Sequence, residues 1–355
     1  MGGAVARVTL QTIADRVGVS RMTVSNAFSR PDQLSAELRA RVLAAAEELG
    51  YTGPDPRARS LATGSSGSIG VLLFDSLRVA FTDDVAIAFI GAIADGLNDT
   101  GRALTLLTST DVDRAPGAGI PARDVPLDAA IVYSCDPDAP GTHWLLKRRL
   151  PLVMVDQVHR EGHAHVNIDD RGGARAAAQH LVDLGHRRIA LVSFAVTGEG
   201  GPRDVAELSA GYVSRERVLG WTDALTPAGI DPLVVQHLER GPVLEEGLVP
   251  ALLDRDDPPT AVLCYSDAVA AALVTALADR GVRVPDDVSV VGYDDSPLAV
   301  RVRPALTTVR QDVVAKGRAA VAALLAQLDD PDSLPADVVL PTELVVRDST
   351  APPPR

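Results

Sequence analysis

The sequence has few cysteines and few aromatic residues. Its 355 residues include two cysteines, and only 3% of them are aromatic. Cys135 and Cys264 lie far apart on predicted strand ends, and no secretion signal is evident, so we expect reduced thiols rather than a disulfide. Neither thiol has the neighbouring histidine that a catalytic cysteine needs. A disulfide-stabilised secreted protein and a thiol enzyme are both disfavoured.

Long apolar segments are also missing. The longest apolar run, near residues 85–94, is about half of the roughly 20 residues that a membrane helix needs, and the first residues lack the apolar core of a signal peptide. Yet 46% of the residues are hydrophobic, and a chain of this length predicts two to three folding units of about 150 residues each. We expect a globular cytoplasmic protein with no membrane partner.

The stretch TLQTIADRVGVSRMTVSNAF, residues 9–28, has the spacing of a helix-turn-helix motif. Ala14 is the small residue at the helix contact, Gly18 is the turn residue with positive φ, and Val24 is the buried β-branched residue. Thr9 and Ser20 are placed to cap the two helices. The alternative, a helix pair inside a larger α-helical domain, does not account for this combination of spacing and caps.

The second helix has the side chains of a recognition helix. Val24 and Ala27 face inward, while the exposed positions carry short or polar side chains that fit a major groove. A third helix from Ser35, ending at Gly50, gives the unit a core of its own. We therefore predict contacts to double-stranded DNA from Thr9, Ser20, Arg21, Met22, Thr23, Ser25 and Asn26.

The net charge of −13 does not oppose DNA binding, because the charge is unevenly distributed. Residues 1–64 carry eight arginines, no lysine and six acidic residues, a local charge of +2 that leaves −15 for the remainder. Local charge governs phosphate contact, and an acidic body discourages non-specific binding. A headpiece this weakly basic predicts dependence on a dimer.

The segment VTLQTIADRVGVSRMTVSNAF, followed by LSAELRARVLAAAEELGY, resembles the N-terminal domain of the lactose-repressor (LacI/GalR) family. LVDLGHRRIALV, VPDDVSVVGYDD, PALTTVRQD and LVVRDST also look like family stretches in family order. The resemblance implies a helix-turn-helix domain at 1–53, a hinge at 54–67 and an effector-binding, dimerising core at 68–350. It also implies a ligand-controlled regulator, most often a repressor, that binds a palindromic operator as a homodimer.

The linker TGPDPRARSLATGSSGS contains one run, PRARSLAT, that can form two helical turns, too short to be stable alone. It is similar to the family's hinge helix, which implies that Leu61 wedges into the minor groove. Small Ala58 and Ala62 would allow close helix pairing, and Arg57 would lie near phosphate. A plain flexible tether is the alternative, and it leaves the exposed leucine unexplained.

From Ser68 onward, apolar strands alternate with amphipathic helices, which predicts an α/β fold of parallel sheets covered by helices on both faces. The pattern occurs twice, and together with the resemblance it predicts a two-lobed, periplasmic-binding-protein-like core. We place lobe 1 at about 68–164 and 298–328, and lobe 2 at about 165–297 and 336–350. A ligand would lie between the lobes, at the carboxyl ends of the strands.

Polar residues at strand ends are the candidate effector contacts. An arginine among carboxylates and hydroxyls suits a polyhydroxyl ligand such as a sugar or a nucleoside. The resemblance assigns effector contacts to Arg217 and Asp294, with Asp156 and Ser266 matching further polar contacts. The family's aromatic pair after the first strand is Ala80 and Phe81 here, which leaves one stacking platform. The predicted set is Asp75, Phe81, Ser134, Asp156, Arg217, Ser266 and Asp294.

No cofactor or metal site is predicted. His159, His163 and His165 have a spacing that could suggest zinc, but no cysteine or convergent carboxylate accompanies them, and we interpret them as solvated loop histidines. GSSGS and GEGG lack the remaining residues of phosphate and dinucleotide motifs, and no catalytic triad can be assembled. The alternative to a regulator is a solute-binding or enzymatic α/β protein with an incidental helical cap.

Overall fold

The computed structural model describes residues 8–53, 60, 63–74, 77–109, 122–135, 139–194, 201–204, 211–237, 244–333 and 335–354. Internal contacts divide the chain into an N-terminal unit, Met1–Ser66, and a core, Gly67–Arg355. The division falls at the end of the linker expected from the sequence. None of the described helices combines the length and apolar composition that crossing a membrane requires.

Residues 8–53 of the N-terminal unit form three α-helices, α1 (Leu10–Val17), α2 (Arg21–Ser29) and α3 (Ala36–Glu48). One residue from each, Ile13, Val24 and Val42, is completely buried in their shared core. Gly18 ends α1 with a φ of +77°, a conformation that side chains other than glycine adopt at a cost. These features confirm the helices and the turn expected from the sequence.

N-terminal caps fix where these helices begin. The Thr9 hydroxyl accepts the Thr12 N–H, and the Ser20 hydroxyl accepts the Thr23 N–H at 3.0 Å. Ser35 caps α3 in the same way. Each cap pairs one of the backbone donors that a helix leaves free at its start.

The first sheet of the core has six parallel strands in the order β12-β5-β4-β3-β1-β2. Alternate residues of β1 face opposite sides: Ile69 and Val71 pack on one helical layer, and Leu72 packs on the other. The elements of this lobe are β1 (Ser68–Leu73), α4 (Leu77–Ala80), α5 (Asp84–Leu97), β2 (Ala103–Thr108), β3 (Ala129–Tyr133), α6 (Pro140–Lys147), β4 (Leu152–Val155), β5 (Ala164–Ile168), α12 (Val313–Asp329) and β12 (Asp337–Leu340).

The second lobe has a sheet in which the described strands take the order β10-β9-β6-β8-β7; the β7–β8 pair is antiparallel and the other pairs are parallel. A short antiparallel pair, β11 and β13, lies next to it through bridges from Val291 to Thr307 and from Asp294 to Arg310. Its elements are α7 (Asp170–Asp183), β6 (Ile189–Phe194), β7 (Gly201–Arg203), α8 (Tyr212–Leu225), β8 (Leu233–His237), α9 (Leu244–Leu253), β9 (Ala261–Cys264), α10 (Asp267–Asp279), β10 (Ser289–Val291), α11 (Pro297–Arg301), β11 (Thr308–Gln311) and β13 (Thr342–Val345).

Three strands lie in a different lobe from the one expected. Residues 298–328 were assigned to lobe 1, but β11 pairs with β13 and is bridged to the end of β10, so it lies with lobe 2. We predicted that residues from 165 and from 336 belong to lobe 2, but β5 pairs with β4 and β12 pairs with β5, so both extend the first sheet. The chain crosses between lobes after Ile168, after Gln311 and after Leu340. The sequence pattern identified these strands, but an apolar strand does not indicate which of two parallel sheets it joins.

The expectation for the last helix is confirmed. α12 packs against α5 and the first sheet, with Val321 and Leu324 in that lobe's core. The residues after β13 remain in lobe 2, where the Val290 N–H donates to the Ser349 carbonyl at 2.9 Å and the Ala351 N–H donates to the Ser289 hydroxyl at 3.1 Å. Each lobe is therefore built from two separate stretches of the chain.

Candidate functional site

The exposed face of α2 is the candidate nucleic-acid surface. Arg21 is exposed and Met22 is 69% exposed, whereas Val24 and Ala27 are buried in the headpiece. An exposed methionine has no core to stabilise here, so its apolar end is available for contact with another molecule.

The polar residues of the same helix are partly held by the headpiece itself. The Asn26 side-chain amide donates to Gln33 Oε1 at 3.1 Å, and the Ser20 and Thr23 hydroxyls lie 2.9 Å apart. Thr23, Ser25 and Asn26 are half-buried, while Ser20 is exposed. Thr9 is exposed and has its hydroxyl 3.1 Å from that of Thr12. The expected hinge contacts Arg57, Ala58, Leu61 and Ala62, and the expected effector contact Asp75, lie outside the described residues.

In the core, a cavity of about 530 Å³ lies between the lobes at the carboxyl ends of the strands, a size typical of small-molecule sites. Five predicted effector residues line it: Ser134, Asp156, Arg217, Ser266 and Asp294. Ser134 and Asp156 directly follow β3 and β4, Ser266 and Asp294 lie two and three residues beyond the ends of β9 and β10, and Ser266 also caps α10. The cavity thus lies between the lobes at the carboxyl ends of the parallel strands, where ligands of such sheets bind.

Arg217 is the centre of the polar wall on lobe 2. Its Nε donates to Asp170 Oδ1 at 2.8 Å, its Nη2 donates to Asp294 Oδ1 at 3.2 Å, and its Nη1 donates to the Tyr265 carbonyl. The guanidinium lies 3.6 Å from the centroid of the Tyr293 ring. Burial disfavours the charge of Arg217, but Asp170 and Asp294 outweigh that cost and raise its pKa.

Burial also raises the pKa of the carboxyl groups around Arg217. It raises the pKa of Asp170 to about 6 and that of Asp294 to about 6, against the attraction of Arg217. Asp267, completely buried behind Asp294, has its pKa raised to about 7 by burial and by the Asp294 charge. Thr308 Oγ1 donates to one of its carboxylate oxygens at 2.6 Å, and the Ser296 N–H donates to the other at 2.7 Å.

A second buried pair stands on the lobe 1 side. Lys316 Nζ donates to Asp156 Oδ2 at 2.6 Å and to Gln311 Oε1 at 2.9 Å. The Gln311 amide in turn donates to Asp294 Oδ1 at 2.7 Å. A continuous series of hydrogen bonds therefore joins Asp156, which follows a strand of lobe 1, to Arg217 in lobe 2.

Two further contacts join the lobes beside the cavity. Phe74, at the end of β1, meets Phe194, at the end of β6, edge to face with ring centroids 6.1 Å apart. The Asn167 side-chain amide donates to the Tyr212 hydroxyl at 3.2 Å. Both contacts link a residue of lobe 1 to a residue of lobe 2, so separation of the lobes would break them.

Phe81 does not line the cavity, contrary to the expectation from the sequence. Its N–H donates to the Leu77 carbonyl as the short helix α4 ends, and its side chain is 55% exposed. Val79, Thr82 and Asp83 line the cavity instead. The aromatic residues of the wall come from the strand ends and from the start of α8: Phe74, Tyr133, Phe194, Tyr212 and Tyr265.

The interpretation of all three histidines as solvated loop residues is wrong for His165. It lies in β5, is 1% exposed and accepts the Arg160 N–H at 2.8 Å through Nε2, while burial lowers its pKa. His159 packs on it with ring centroids 4.7 Å apart. In the part of the chain that the structure describes, no group of three or more histidine, cysteine or acidic side chains is arranged to hold a metal ion.

Both cysteines are buried, and the Cys135 thiol donates to the Tyr133 carbonyl at 3.3 Å. Burial raises the pKa of the Cys264 thiol, which makes it a poor nucleophile.

Four residues of the polar network at and behind the cavity wall were not predicted from the sequence: Asp170, Tyr293, Gln311 and Lys316. Asp170 lies two residues after β5, as close to its strand end as Ser266 is to that of β9, so the strand-end rule also indicated Asp170. Lys316 also had a signal, because the sequence has 32 arginines and only two lysines, and this one lies on the apolar face of a helix.

Comparisons with known proteins agree with this architecture. Residues 9–53 match the family model "Bacterial regulatory proteins, lacI family", and residues 178–350 match the model "Periplasmic binding protein-like domain". An HTH-type transcriptional regulator of Mycobacterium tuberculosis is 38% identical over 98% of this chain and 98% of its own length.

Two solved structures are similar over nearly the whole chain. The Lac repressor dimer bound to operator and the anti-inducer ONPF has a TM-score of 0.78 and 27% identity, covering 97% of this chain and 99% of that one. The complex of the transcriptional regulator CelR with cellobiose has a TM-score of 0.67 and 29% identity, covering 97% and 100%.

Proposed function

Because the chain belongs to the LacI family of bacterial transcriptional regulators, we propose that it is a repressor that binds a near-palindromic operator as a homodimer and releases it on binding a sugar or a nucleoside. It has a DNA-binding domain and an effector-binding domain of that family. The matched relatives are named as regulators, which argues against the enzyme alternative. We place it in the cytoplasm, where operator DNA is found.

The DNA side of the proposal rests on the exposed face of α2. Arg21 is suited to a bidentate pair with guanine, Asn26 to a pair with adenine, and Met22 to a thymine methyl group. Thr9, Ser20, Thr23 and Ser25 would complete the contacts to bases and phosphates. We assign Leu61 to the minor groove, with Ala58 and Ala62 at the hinge pairing and Arg57 near phosphate.

The ligand side rests above all on Arg217, held between Asp170 and Asp294 at the cavity wall. An arginine and carboxylates with fixed geometry bind several hydroxyl groups of a polar ligand at once. Ser134, Asp156 and Ser266 add acceptors and donors from other strand ends. The cellobiose and the ONPF named for CelR and the Lac repressor support a sugar-like effector.

Control of DNA binding would follow from a change in how closely the lobes approach. A ligand shifts such an equilibrium only by its differential affinity for the two states. Residues of lobe 2 such as Arg217 must therefore meet the ligand together with residues of lobe 1 such as Ser134 and Asp156. We propose that this change alters the spacing of the two hinges in the dimer.

The test is the response of operator binding to ligand in Arg217→Ala. We expect the variant to bind operator within about threefold of wild type and to lose release by the sugar or nucleoside that releases wild type. Anisotropy of a labelled operator, titrated with each compound, measures both. Arg171→Ala is the matched control, because that arginine pairs with Asp223 on the exposed surface, and it should respond like wild type.

Removing Arg217 leaves two buried carboxylates without their partner, which costs stability. Asp294→Asn keeps the Arg217–Asp170 pair and serves as the second variant, with circular dichroism to establish that each protein is folded. A folded Arg217→Ala or Asp294→Asn protein that releases operator normally would refute the assignment of the cleft.

A further inference from the structure

Lys316 is an unusual residue for this protein. The chain uses arginine for 32 of its 34 basic residues, and the only lysines are Lys147 and Lys316. Lys316 is 1% exposed, on the face of α12 that packs on the first lobe. Both of its side-chain partners, Asp156 and Gln311, line the cavity, and Lys316 is not itself among the lining residues. A charge placed directly behind a binding wall acts through the residues in front of it.

Asp156 uses only one of its two carboxylate oxygens to bind Lys316. The side chain is 5% exposed, and its Oδ1 has no hydrogen-bond partner among the residues that the structure describes. The backbone at Asp156 has a φ of +54°, which non-glycine residues rarely adopt. A buried carboxylate oxygen without a donor is costly. Oδ1 itself is almost inaccessible to solvent, but Asp156 lines the cavity, so a ligand hydroxyl that reaches Oδ1 and donates a hydrogen bond to it removes this cost.

The charges around the cavity do not favour an anion. Arg217 has its charge matched by Asp170 and Asp294, and Lys316 has its charge matched by Asp156. In the described part of the chain, Arg217 is the only basic side chain of the lining, which also includes Asp83 and Asp84. A phosphate or carboxylate group would therefore meet an excess of negative charge in a partly desolvated site.

We propose that the Lys316–Asp156 pair determines ligand specificity: Lys316 holds Asp156 so that Oδ1 accepts a hydrogen bond from a ligand hydroxyl, and the cleft takes uncharged polyhydroxyl compounds and rejects their phosphorylated forms. The proposal rests on the proposed function, since it describes the same cleft. Lys316 is a positioning residue in this scheme, because it acts through Asp156. Through Gln311 the same ammonium group also supports Asp294, which helps to hold Arg217.

Matched pairs of probes test the charge selection directly. The full-length protein is heated with ribose or ribose 5-phosphate, glucose or glucose 6-phosphate, adenosine or its 5′-monophosphate, and cellobiose. We expect at least one uncharged probe to raise the unfolding temperature and no phosphorylated probe to do so. Stabilisation by a phosphorylated probe, or by none of the uncharged probes, overturns the proposal.

A pair of variants separates positioning from folding. Lys316→Met leaves Asp156 as an unmatched buried charge, so we expect a lower unfolding temperature and weaker binding of the stabilising probe. Asp156→Asn combined with Lys316→Met removes both charges and should recover most of the unfolding temperature. Because a charge-assisted hydrogen bond has been replaced, that double variant should still bind the probe at least about tenfold more weakly. Recovery of wild-type affinity would show that the pair is only structural.

Isotope-labelled lysine gives a readout that does not depend on stability. The protein has two lysine side chains, so its spectrum has two side-chain amine signals, and Lys147→Arg assigns them. We expect the stabilising probe to shift the Lys316 signal and to leave that of Lys147 in place. An unmoved Lys316 signal at saturating probe contradicts the proposal.

Failure of this proposal can be distinguished from failure of the proposed function. If a phosphorylated sugar stabilises wild type and releases operator, and Arg217→Ala abolishes both effects, the cleft remains the effector site and only the charge selection is wrong. If an uncharged probe stabilises wild type and Arg217→Ala equally, the ligand binds elsewhere and the proposed function of the cleft is wrong as well.

Discussion

At the scale of the single residue, Asp267 links the stability of the core to pH. Its pKa is raised to about 7, above that of an unfolded aspartate, so the folded state holds a proton that the unfolded state releases. Its contribution to stability is present at low pH and is lost as pH rises through about 7. We therefore expect the free energy of unfolding of wild type, measured relative to that of Asp267→Asn, to decrease from pH 5 to pH 8.

Wild type must be compared with a variant because the buried histidines change the stability of the protein with pH in the opposite direction to Asp267. Burial lowers the pKa of His163, His165, His180 and His186, so their contributions are lost as pH falls. Asp287→Asn is the control: Arg283 holds the pKa of Asp287 at about 2, far below the range tested. Urea unfolding at each pH measures the three proteins, and parallel curves for wild type and Asp267→Asn would contradict the expectation.

Asn26 provides a residue-scale prediction for the headpiece. Its amide pairs with Gln33 and must leave that partner to bind an adenine. Asn26→Arg should change the preferred base at one position of each half-site, because an arginine pairs best with guanine. Selection of bound sites from a random pool measures the preference. Gln11→Arg adds the same charge on α1 and should strengthen binding without changing the selected bases; identical selected sites for all three proteins would refute the role of Asn26.

Residues whose partners are close in sequence were predictable, and residues with distant partners were not. The caps at Thr9 and Ser20 bind N–H groups three residues away, so spacing alone identifies them. Lys316 pairs with Asp156, which lies 160 residues earlier, and no local pattern indicates such a pair. Arg217 and Asp294 were predicted from the family resemblance, whereas the geometry that joins them required the fold.

At the scale of the element, the contact between α7 and α8 depends on glycine. Gly220 lies where a Cβ atom would meet the Arg171 carbonyl and would come within 2.8 Å of Ala174 Cβ. Both obstacles belong to the facing helix, and a backbone carbonyl cannot rotate away. Gly220→Ala should therefore destabilise the core by about 3 kcal/mol, at the upper end of the usual cost of overpacking, and should lower the thermal unfolding temperature.

Gly91 gives the matched control for this substitution. It is an exposed residue within α5, and a Cβ there has no neighbour within 4 Å. Gly91→Ala should stabilise the protein by up to about 1 kcal/mol, because alanine is the better helix former. Calorimetry of both variants measures the two changes in stability. Equal effects of the two substitutions would show that the close approach of α7 and α8 contributes little to the stability of the core.

The helices and strands were largely predictable from the sequence, but the sheet to which each strand belongs was less predictable. β-Branched residues in short segments bounded by turn residues identified β5 and β12, although β5 is buried along its length and β12 is a half-exposed edge strand. Membership of a sheet depends on which neighbour supplies hydrogen bonds, and parallel neighbours are distant in sequence. Phe81 was placed in the cleft from the resemblance, but the end of α4 turns it outward.

At the scale of the whole molecule, the weak positive charge of the headpiece leads us to expect that two chains bind one operator as a homodimer. A headpiece with a net charge of +2 makes few phosphate contacts, and a two-fold site is matched by a two-fold protein. We expect two chains per operator in sedimentation. Scrambling one half-site should weaken binding by about 100-fold or more, because the second headpiece then loses its specific contacts. A single chain bound to one half-site with full affinity would contradict the homodimer.

The three passages of the chain between the lobes also set the order in which the protein can be completed on the ribosome. The headpiece is one continuous segment with its own core, so it can fold as soon as it emerges. Lobe 1 lacks α12 and its edge strand β12 until late in translation, and lobe 2 lacks the residues that run beside β10. Lobe 1 is not finished before residue 340 is made, and lobe 2 is not finished before residues near 350 are made. During synthesis the nascent chain therefore presents a finished DNA-reading unit attached to an unfinished sensor, and a protein truncated before that point keeps the first without the second.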